Sequence, residues 1–310
     1  MKRYFLKKEF VKQKQYINTL GGNLLYNNII ITHKNRCDGI GSSFLLIIFL
    51  YSFAIYNNYI FNMNKNSDDN IIIDYSIFSN FYGLTKLVNI IDLKKHSFET
   101  ISYKDFNKKN IQKTNNTIYC FDDNTKDLEN CMKNITDFNN YFPLNFRQKL
   151  FNNFKLINKN YPEYFNKSMV NIAIHIRRGD ICFPQNIKTF EHAYFPNKYF
   201  VLLINSFHKK YKNANIHIFS NKENTEGWDD FKDLNVTLHL RSRIANGLSK
   251  NNQKQIHYEK KDICHFCEAD ILVIGGTFSY VAAFFNLNTV YYPMNYWHSS
   301  LKHWIPYKCK

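Results

Sequence analysis

The sequence predicts an α/β fold with two domains, each built on a parallel β-sheet. The chain has 310 residues, of which 45% are hydrophobic and 17% aromatic, so it is long enough for two domains with sizeable cores. Short apolar runs of strand length alternate with segments of helix length, most clearly in the second half. This alternation is typical of parallel strands joined by right-handed helical crossovers.

The N-terminal half has an irregular βα pattern. Strands are predicted at residues 28–32, 71–74 and 117–121, with an apolar helix at residues 40–56. That helix approaches the length needed to span a bilayer. Because it follows a strand and a glycine-containing turn, the buried first helix of a βα unit is the favoured interpretation.

A helix predicted at residues 145–159 leads to Tyr161 and Pro162, which suit a hinge between domains. The predicted domains are therefore residues 1–160 and 161–310. The second domain has a regular pattern and is predicted to be Rossmann-like. Its strands are expected at residues 171–176, 215–220, 236–240, 271–274 and 289–292, and its helices at residues 197–210, 261–269 and 278–285.

The net charge of +16 predicts an anionic partner or a nearby anionic surface. The basic residues are dispersed and form no zinc-finger or basic-zipper pattern, so a nucleic-acid partner is not expected. Association with a membrane surface stays open, and the sequence does not predict an oligomeric state.

Seven cysteines without framework spacing, and a charged N-terminus without an apolar centre, favour a cytoplasmic location. Cys264 and Cys267 have the spacing of half a zinc site, but buried thiols on a helix are favoured because a second pair is missing.

The segment from His175 to Asp180 carries the first candidate binding residues. It follows an apolar strand and contains Arg177 and Arg178, then Gly179. Ligands bind at strand ends in open α/β sheets, and guanidinium groups suit a diphosphate because each offers a planar fork of donors. The alternative is a solvated turn in which Asp180 pairs with Arg178.

A second candidate site follows the strand at residues 271–274. Gly275 and Gly276 precede Thr277, Phe278 and Ser279, and backbone N–H groups at such a turn attract an anion. Simple helix capping by the Thr277 or Ser279 hydroxyl is the alternative.

Two further residues are expected on the same rim. Asp262, placed at the head of the predicted helix 261–269, has a carboxylate that suits the N1–H and N2–H2 donors of guanine. Its alternative role is helix capping. Ser220 ends another predicted strand.

Three segments of the second half resemble, in order and spacing, the three motifs of the fucosyltransferase superfamily. They are HIRRGD at residues 175–180, IFSNKENTEGW at residues 218–228 and DICHFCEADILVIGGTFSYVAAFFN at residues 262–286. The resemblance is closest to the α-1,2-fucosyltransferases of glycosyltransferase family 11 and looser to the α-1,6- and protein O-fucosyltransferases. It covers mainly residues 171–293.

The resemblance implies a GT-B-like enzyme that transfers fucose from GDP-fucose to a glycan hydroxyl with inversion and without a metal or other cofactor. Residues 161–310 would bind the donor and residues 1–160 would face the acceptor. The implied acceptor is galactose in α-1,2 linkage, with α-1,6 and protein O-linkage as alternatives. From another class, a basic non-catalytic module that binds polyanions stays open.

Carried over by position, Arg177 would be catalytic and hold the β-phosphate, while Arg178 and Asp180 would brace its loop. His175 and Asp262 would seat the guanine end. The full donor-binding set is His175, Arg177, Arg178, Asp180, Ser220, Asp262, Thr277, Phe278 and Ser279.

The base that deprotonates the acceptor is less well defined by the sequence. Asp38, in the N-terminal turn, and Glu191, in the loop after the first motif, are the candidates. Proton transfer to the β-phosphate itself is the alternative.

Overall fold

The computed structural model describes residues 29–33, 40–57, 59–64, 80–91, 96–103, 105, 118–121, 125–158, 162–182, 193–241, 253–294 and 296–308. Its first sheet is parallel throughout and has the strand order β3-β2-β1-β5-β4. The strands are β1 (Ile30–His33), β2 (Ile60–Asn64), β3 (Asn89–Ile91), β4 (Glu99–Ile101) and β5 (Ile118–Phe121).

The second sheet is also parallel and has the order β11-β10-β9-β6-β7-β8. Counted from its first strand, this is the 3-2-1-4-5-6 order of doubly wound nucleotide-binding sheets. The prediction of an α/β fold with parallel sheets is confirmed. The strands are β6 (Val170–His175), β7 (Ala214–Asn221), β8 (Thr237–Arg241), β9 (Ile271–Val273), β10 (Thr289–Pro293) and β11 (Ile305–Tyr307).

Six α-helices are described in these parts of the chain. They are α1 (Ile40–Asn57), α2 (Thr125–Ile135), α3 (Leu144–Ile157), α4 (Asn197–Lys210), α5 (Gln253–Glu268) and α6 (Thr277–Ala283).

Helix α1 is buried against strands β1 and β2 on one side and helix α6 on another, which explains why its sequence is apolar on all sides. The Phe49 ring lies 5.4 Å from the Phe138 ring and 5.8 Å from the Phe284 ring, and Phe44 contacts Tyr82 at 5.0 Å. A helix without a polar face needs partners on every side, and here both halves of the chain supply them. The prediction of a buried first helix is confirmed. Among the described helices, none has the length and apolar character to cross a membrane.

Each sheet contains one point where the strand order reverses. In the second sheet this point lies between β6 and β9, and in the first between β1 and β5. Ligands of doubly wound sheets bind outside the carboxyl ends of the strands at such a point. The segments that leave β6 and β9 are the two motifs that begin at His175 and Gly275.

Several local predictions differ from the structure. The predicted strand at residues 71–74 lies outside the described residues. Strands β2, β3, β4 and β11 have no counterpart among the predicted strands. These strands have three to five residues, which is too short for apolar alternation to stand out in the sequence.

Helix α5 corrects the position of Asp262. The helix begins at Gln253 rather than at residue 261, so Asp262 lies in its interior and is not an N-terminal cap. The first two turns are mostly polar, so an apolar periodicity did not reveal them. The prediction of buried thiols is confirmed, since Cys264 and Cys267 are both free and buried on this helix.

Candidate functional site

The two motifs meet directly at the reversal point of the second sheet. A Cβ atom at Gly275 would lie 1.7 Å from the His175 carbonyl oxygen, and one at Gly276 would lie 3.1 Å from Arg177 Cδ. Only a residue without a side chain lets the two strand ends approach this closely. The side chain of Arg177 therefore lies over the glycine turn.

The hydroxyl of Ser279 makes hydrogen bonds to both glycines of this turn. Its Oγ accepts the Gly275 N–H at 3.1 Å, donates to the Gly276 carbonyl at 3.0 Å and lies 2.8 Å from His175 Nδ1. Because the one hydroxyl proton is used on Gly276, His175 donates from Nδ1 to Ser279 Oγ. Burial, with the charges of Arg177 and Arg178, lowers the pKa of His175 to about 3. Ser279 thus positions the turn and is itself fully buried.

Three donors converge beside the glycine turn. The hydroxyls of Thr277 and Tyr296 are both buried, and neither makes a hydrogen bond of good geometry to a described residue. Burial raises the pKa of Tyr296 to about 12, against the influence of the Thr277 hydroxyl and the charge of Arg177. These influences require the three side chains to be neighbours. Two underused hydroxyls beside a guanidinium form a donor set suited to an anionic oxygen.

Phe278 follows Thr277 in the first turn of α6. Its ring meets the His175 ring at 6.0 Å and the Phe266 ring at 5.9 Å, both close to edge-on. The contact holds the first turn of α6 against the end of β6 and shields the His175 ring from solvent.

The Arg178 guanidinium is bound by acceptors within the protein, including the Arg177 carbonyl at 2.8 Å. It is 2% exposed, and its guanidinium donates to the Phe195 carbonyl at 2.9 Å, to Asn197 Oδ1 at 2.8 Å and to Asn224 Oδ1 at 2.9 Å. It also lies 4.7 Å above the Tyr194 ring. These contacts agree with the expected bracing role and leave its donors committed to protein acceptors.

Ser220 is also a supporting residue. Its buried hydroxyl donates to the Ile176 carbonyl at 2.6 Å, immediately before Arg177. Gly179 has a φ of 83°, and a Cβ there would lie 2.3 Å from Asn221 Nδ2. The end of β7 therefore fixes the backbone on both sides of the two arginines.

Asp262 lies at another part of the same rim, where its helix passes the end of β8. Arg241, the last residue of β8, donates from Nη2 to Asp262 Oδ1 at 3.3 Å. Burial raises the pKa of the Asp262 carboxyl to about 7, although Arg241 and Lys261 oppose this effect. The carboxylate therefore changes charge near neutral pH.

The N-terminal half contributes Gly41 to the same place. A Cβ at Gly41 would lie 2.8 Å from the Phe278 backbone nitrogen, so the first turn of α1 touches the first turn of α6. The helices that follow β1 and β9 therefore contact each other at their first turns. Asp38 and Glu191 lie outside the described residues, as does the side chain of Asp180, so their roles stay predictions.

Among the side chains that the structure describes, no group of three or more histidines, cysteines, aspartates or glutamates is arranged to hold a metal ion. The Cys264 and Cys267 thiols are buried, and burial raises the pKa of both. Metal independence of the activity stays a prediction.

Sequence reasoning missed Tyr296 and Arg241. Tyr296 belongs to the aromatic run YYPMNYW at residues 291–297, whose composition was the available signal. Arg241 follows an ordinary strand, and its pairing with Asp262 links residues 21 positions apart. The sheet order, which the sequence does not show locally, brings the end of β8 next to helix α5.

No protein-family model matches the chain. No curated protein matches it either. Several solved structures are similar to it. A mutant of FUT1 of Arabidopsis thaliana in complex with GDP has 11% identity and a TM-score of 0.45, over 86% of this chain and 70% of that one.

Two others are similar over nearly their whole length. NodZ α-1,6-fucosyltransferase soaked with GDP-fucose, a protein of Bradyrhizobium, has 10% identity and a TM-score of 0.47, over 83% of this chain and 92% of that one. POFUT1 in complex with GDP has 9% identity and a TM-score of 0.43, over 93% of this chain and 99% of that one.

Proposed function

We propose that this protein is an inverting fucosyltransferase that uses GDP-fucose as donor. The acceptor is a hydroxyl of a glycan galactose, and the product carries fucose in α-1,2 linkage to that galactose. The observation that carries the proposal is the meeting of Arg177, Thr277 and Tyr296 at the reversal point of a 3-2-1-4-5-6 sheet. The resemblance of the surrounding segments to fucosyltransferase motifs supports the choice of donor.

The three donors suit the leaving group of such a reaction. When the acceptor oxygen bonds to fucose C1, the bond from C1 to the β-phosphate oxygen breaks and negative charge builds on the GDP. Fixed donors stabilise such charge because they need not reorganise during the reaction. Arg177 supplies a full positive charge, and the Thr277 and Tyr296 hydroxyls supply donors that no described residue uses well.

The spacing of the rim suits a nucleoside diphosphate. Neighbouring strands lie about 4.8 Å apart, so the end of β8 is about 10 Å from the end of β6. That span separates the diphosphate donors from Asp262, whose ionised carboxylate would accept hydrogen bonds from the guanine N–H groups. His175, neutral and held by Ser279, would instead support the segment beneath the diphosphate.

The acceptor proton requires a base. We assign this role to Asp38, in the segment that follows β1, or to Glu191, in the segment between β6 and α4. Tyr296 is excluded, because its pKa of about 12 keeps it protonated at neutral pH.

The first test is selective stabilisation by nucleotides. Melting temperatures would be measured with GDP, UDP and ADP in low and high salt. A ligand at about 100 times its Kd stabilises the native state by about 2.7 kcal/mol, and we expect this effect for GDP alone. Equal stabilisation by all three nucleotides that disappears in high salt would instead indicate the polyanion-binding module.

The second test is the reaction itself. GDP release from GDP-fucose would be followed with and without a methyl β-galactoside, and the product linkage determined by NMR. We expect acceptor-dependent release and an α-1,2 product. Substitution Thr277→Val, which removes one hydroxyl at nearly constant volume, should lower turnover and leave the melting temperature of the free protein unchanged.

A further inference from the structure

A groove of about 570 Å³ lies between the end of α2 and the segment that follows β10. One side carries the aromatic rings of Tyr292, Tyr296 and Trp297, and the other carries polar groups that include Asn139. We call this feature the Trp297 groove. Ligand sites commonly combine such an apolar wall with a few oriented polar groups.

The floor of the Trp297 groove is held rigidly by a buried carboxylate. Glu129 is fully buried and accepts the Ser299 N–H at 2.9 Å, the Ser299 hydroxyl, His298 Nδ1 at 3.0 Å and the Lys133 ammonium at 2.9 Å. These donors lower the pKa of Glu129 to about 2 despite its burial. A site fixed in this way loses little conformational freedom when a ligand binds.

The two carboxylates at the groove are paired within the protein. Lys126 and Lys133 both turn to Glu129, and Asp137 pairs with Lys302 at 2.5 Å. Hydrogen bonds from Lys302 and Asn139 hold the pKa of Asp137 well below its usual range. The groove therefore disfavours a cationic ligand, and a neutral ligand can bind there without separating these ion pairs.

The groove adjoins the donor pocket through one residue. Tyr296 lines the groove, and its hydroxyl neighbours Thr277 and Arg177. From the same helix as Thr277, the Tyr280 hydroxyl donates to the Ser299 carbonyl at 2.5 Å. A molecule in the groove would therefore lie directly beside the position assigned to the departing diphosphate.

We propose that the Trp297 groove binds the acceptor as a neutral saccharide. The C–H face of a sugar ring packs on aromatic rings, and its hydroxyls suit side-chain amide and hydroxyl groups. Trp297 is 36% exposed and offers such a face, while Asn139 and Ser300 supply polar groups in the groove. This inference rests on the proposed function and names the place of its second substrate.

The test separates binding of the acceptor from use of the donor. Methyl β-galactoside, methyl β-glucoside and N-acetyllactosamine would be examined by saturation-transfer NMR with the wild type, Trp297→Ala and Trp297→Phe. Phe98→Ala is the matched control, since Phe98 is 42% exposed and does not line the groove. We expect the wild type to bind at least one saccharide, and Trp297→Ala to weaken binding about tenfold, as for loss of an aromatic contact.

Kinetics provide the second readout. Trp297→Ala should raise the acceptor KM about tenfold while GDP binding and slow hydrolysis of GDP-fucose stay unchanged, and Trp297→Phe should recover most of the loss. Wild-type binding of none of the saccharides, or unchanged acceptor KM in Trp297→Ala, would overturn the groove assignment. If the wild type neither binds GDP nor hydrolyses GDP-fucose, the proposed function is instead refuted.

Discussion

Arg177 and Arg178 are adjacent in sequence, but we expect their replacement by alanine to affect different properties, activity in one case and stability in the other. Arg177 is partly exposed and lies over the glycine turn, whereas Arg178 is buried with three acceptors from other segments. We therefore expect Arg177→Ala to remove activity and Arg178→Ala to remove stability.

The magnitudes follow from these contacts. Removing one fixed donor to a developing anion typically lowers kcat by about 10²–10³-fold, and we expect at least this loss for Arg177→Ala, with stability within about 1 kcal/mol of the wild type. Arg178→Ala leaves the Phe195 carbonyl and Asn197 Oδ1 without their charged donor. At about 1.5–3 kcal/mol for each of these two bonds to a charged group, the variant should lose roughly 3–6 kcal/mol.

The assay combines urea unfolding followed by circular dichroism with GDP release from GDP-fucose. Conservative replacement by lysine is a matched control at both positions, because lysine keeps the charge but not the planar fork. Two outcomes would refute the reasoning: near-normal turnover in Arg177→Ala, or equal loss of stability in the two alanine variants.

Five further substitutions test other parts of the structure. Gly275→Ala should prevent folding, because the added Cβ would lie 1.7 Å from the His175 carbonyl oxygen, and soluble expression would show this. Gly276→Ala should fold, because its Cβ would lie 3.1 Å from Cδ of the flexible Arg177 side chain. Displacement of that side chain should weaken GDP binding, which calorimetry would measure. Because the pKa of Asp262 is raised, the native state keeps a proton between pH 4 and about 7 that the unfolded state releases. The contribution of Asp262 to stability therefore falls as pH rises through that window. In urea titrations, Asp262→Asn should make the free energy of unfolding less dependent on pH. For His239 the pH dependence of stability has the opposite sign, because burial lowers its pKa to about 3. The native state therefore loses stability as pH falls below 6.5, and His239→Gln should resist acid unfolding better than the wild type. Glu129→Gln should destabilise the protein by about 2–4 kcal/mol at pH 7, and the deficit should vanish as pH falls from 4.5 towards 2 if the hydrogen-bonded carboxylate is its cause.

The sequence was sufficient to predict the α/β fold and to identify the two segments that the structure brings together at the candidate site. Apolar runs followed by glycine identified the ends of β6 and β9, and the parallel topology then required these ends to be neighbours. The bracing role expected for Arg178 also agrees with the structure.

The remaining parts of the site depend on contacts that a single sequence does not encode locally. Tyr296 reaches Thr277 only because β10 lies next to β9, and Arg241 reaches Asp262 only because β8 ends beside helix α5. The start of α5 was missed because its first turns are polar, and the short strands of the first sheet were missed because three residues show no period.

Helix α1 limits how the two halves of the molecule can be separated or moved. Its Phe49 ring packs on Phe284 from the second half, and Gly41 touches the Phe278 backbone. A fragment that begins at residue 161 would leave that apolar surface in water and should aggregate when expressed alone. Separation of the two halves would expose the same surface, so we expect them to stay in contact throughout turnover.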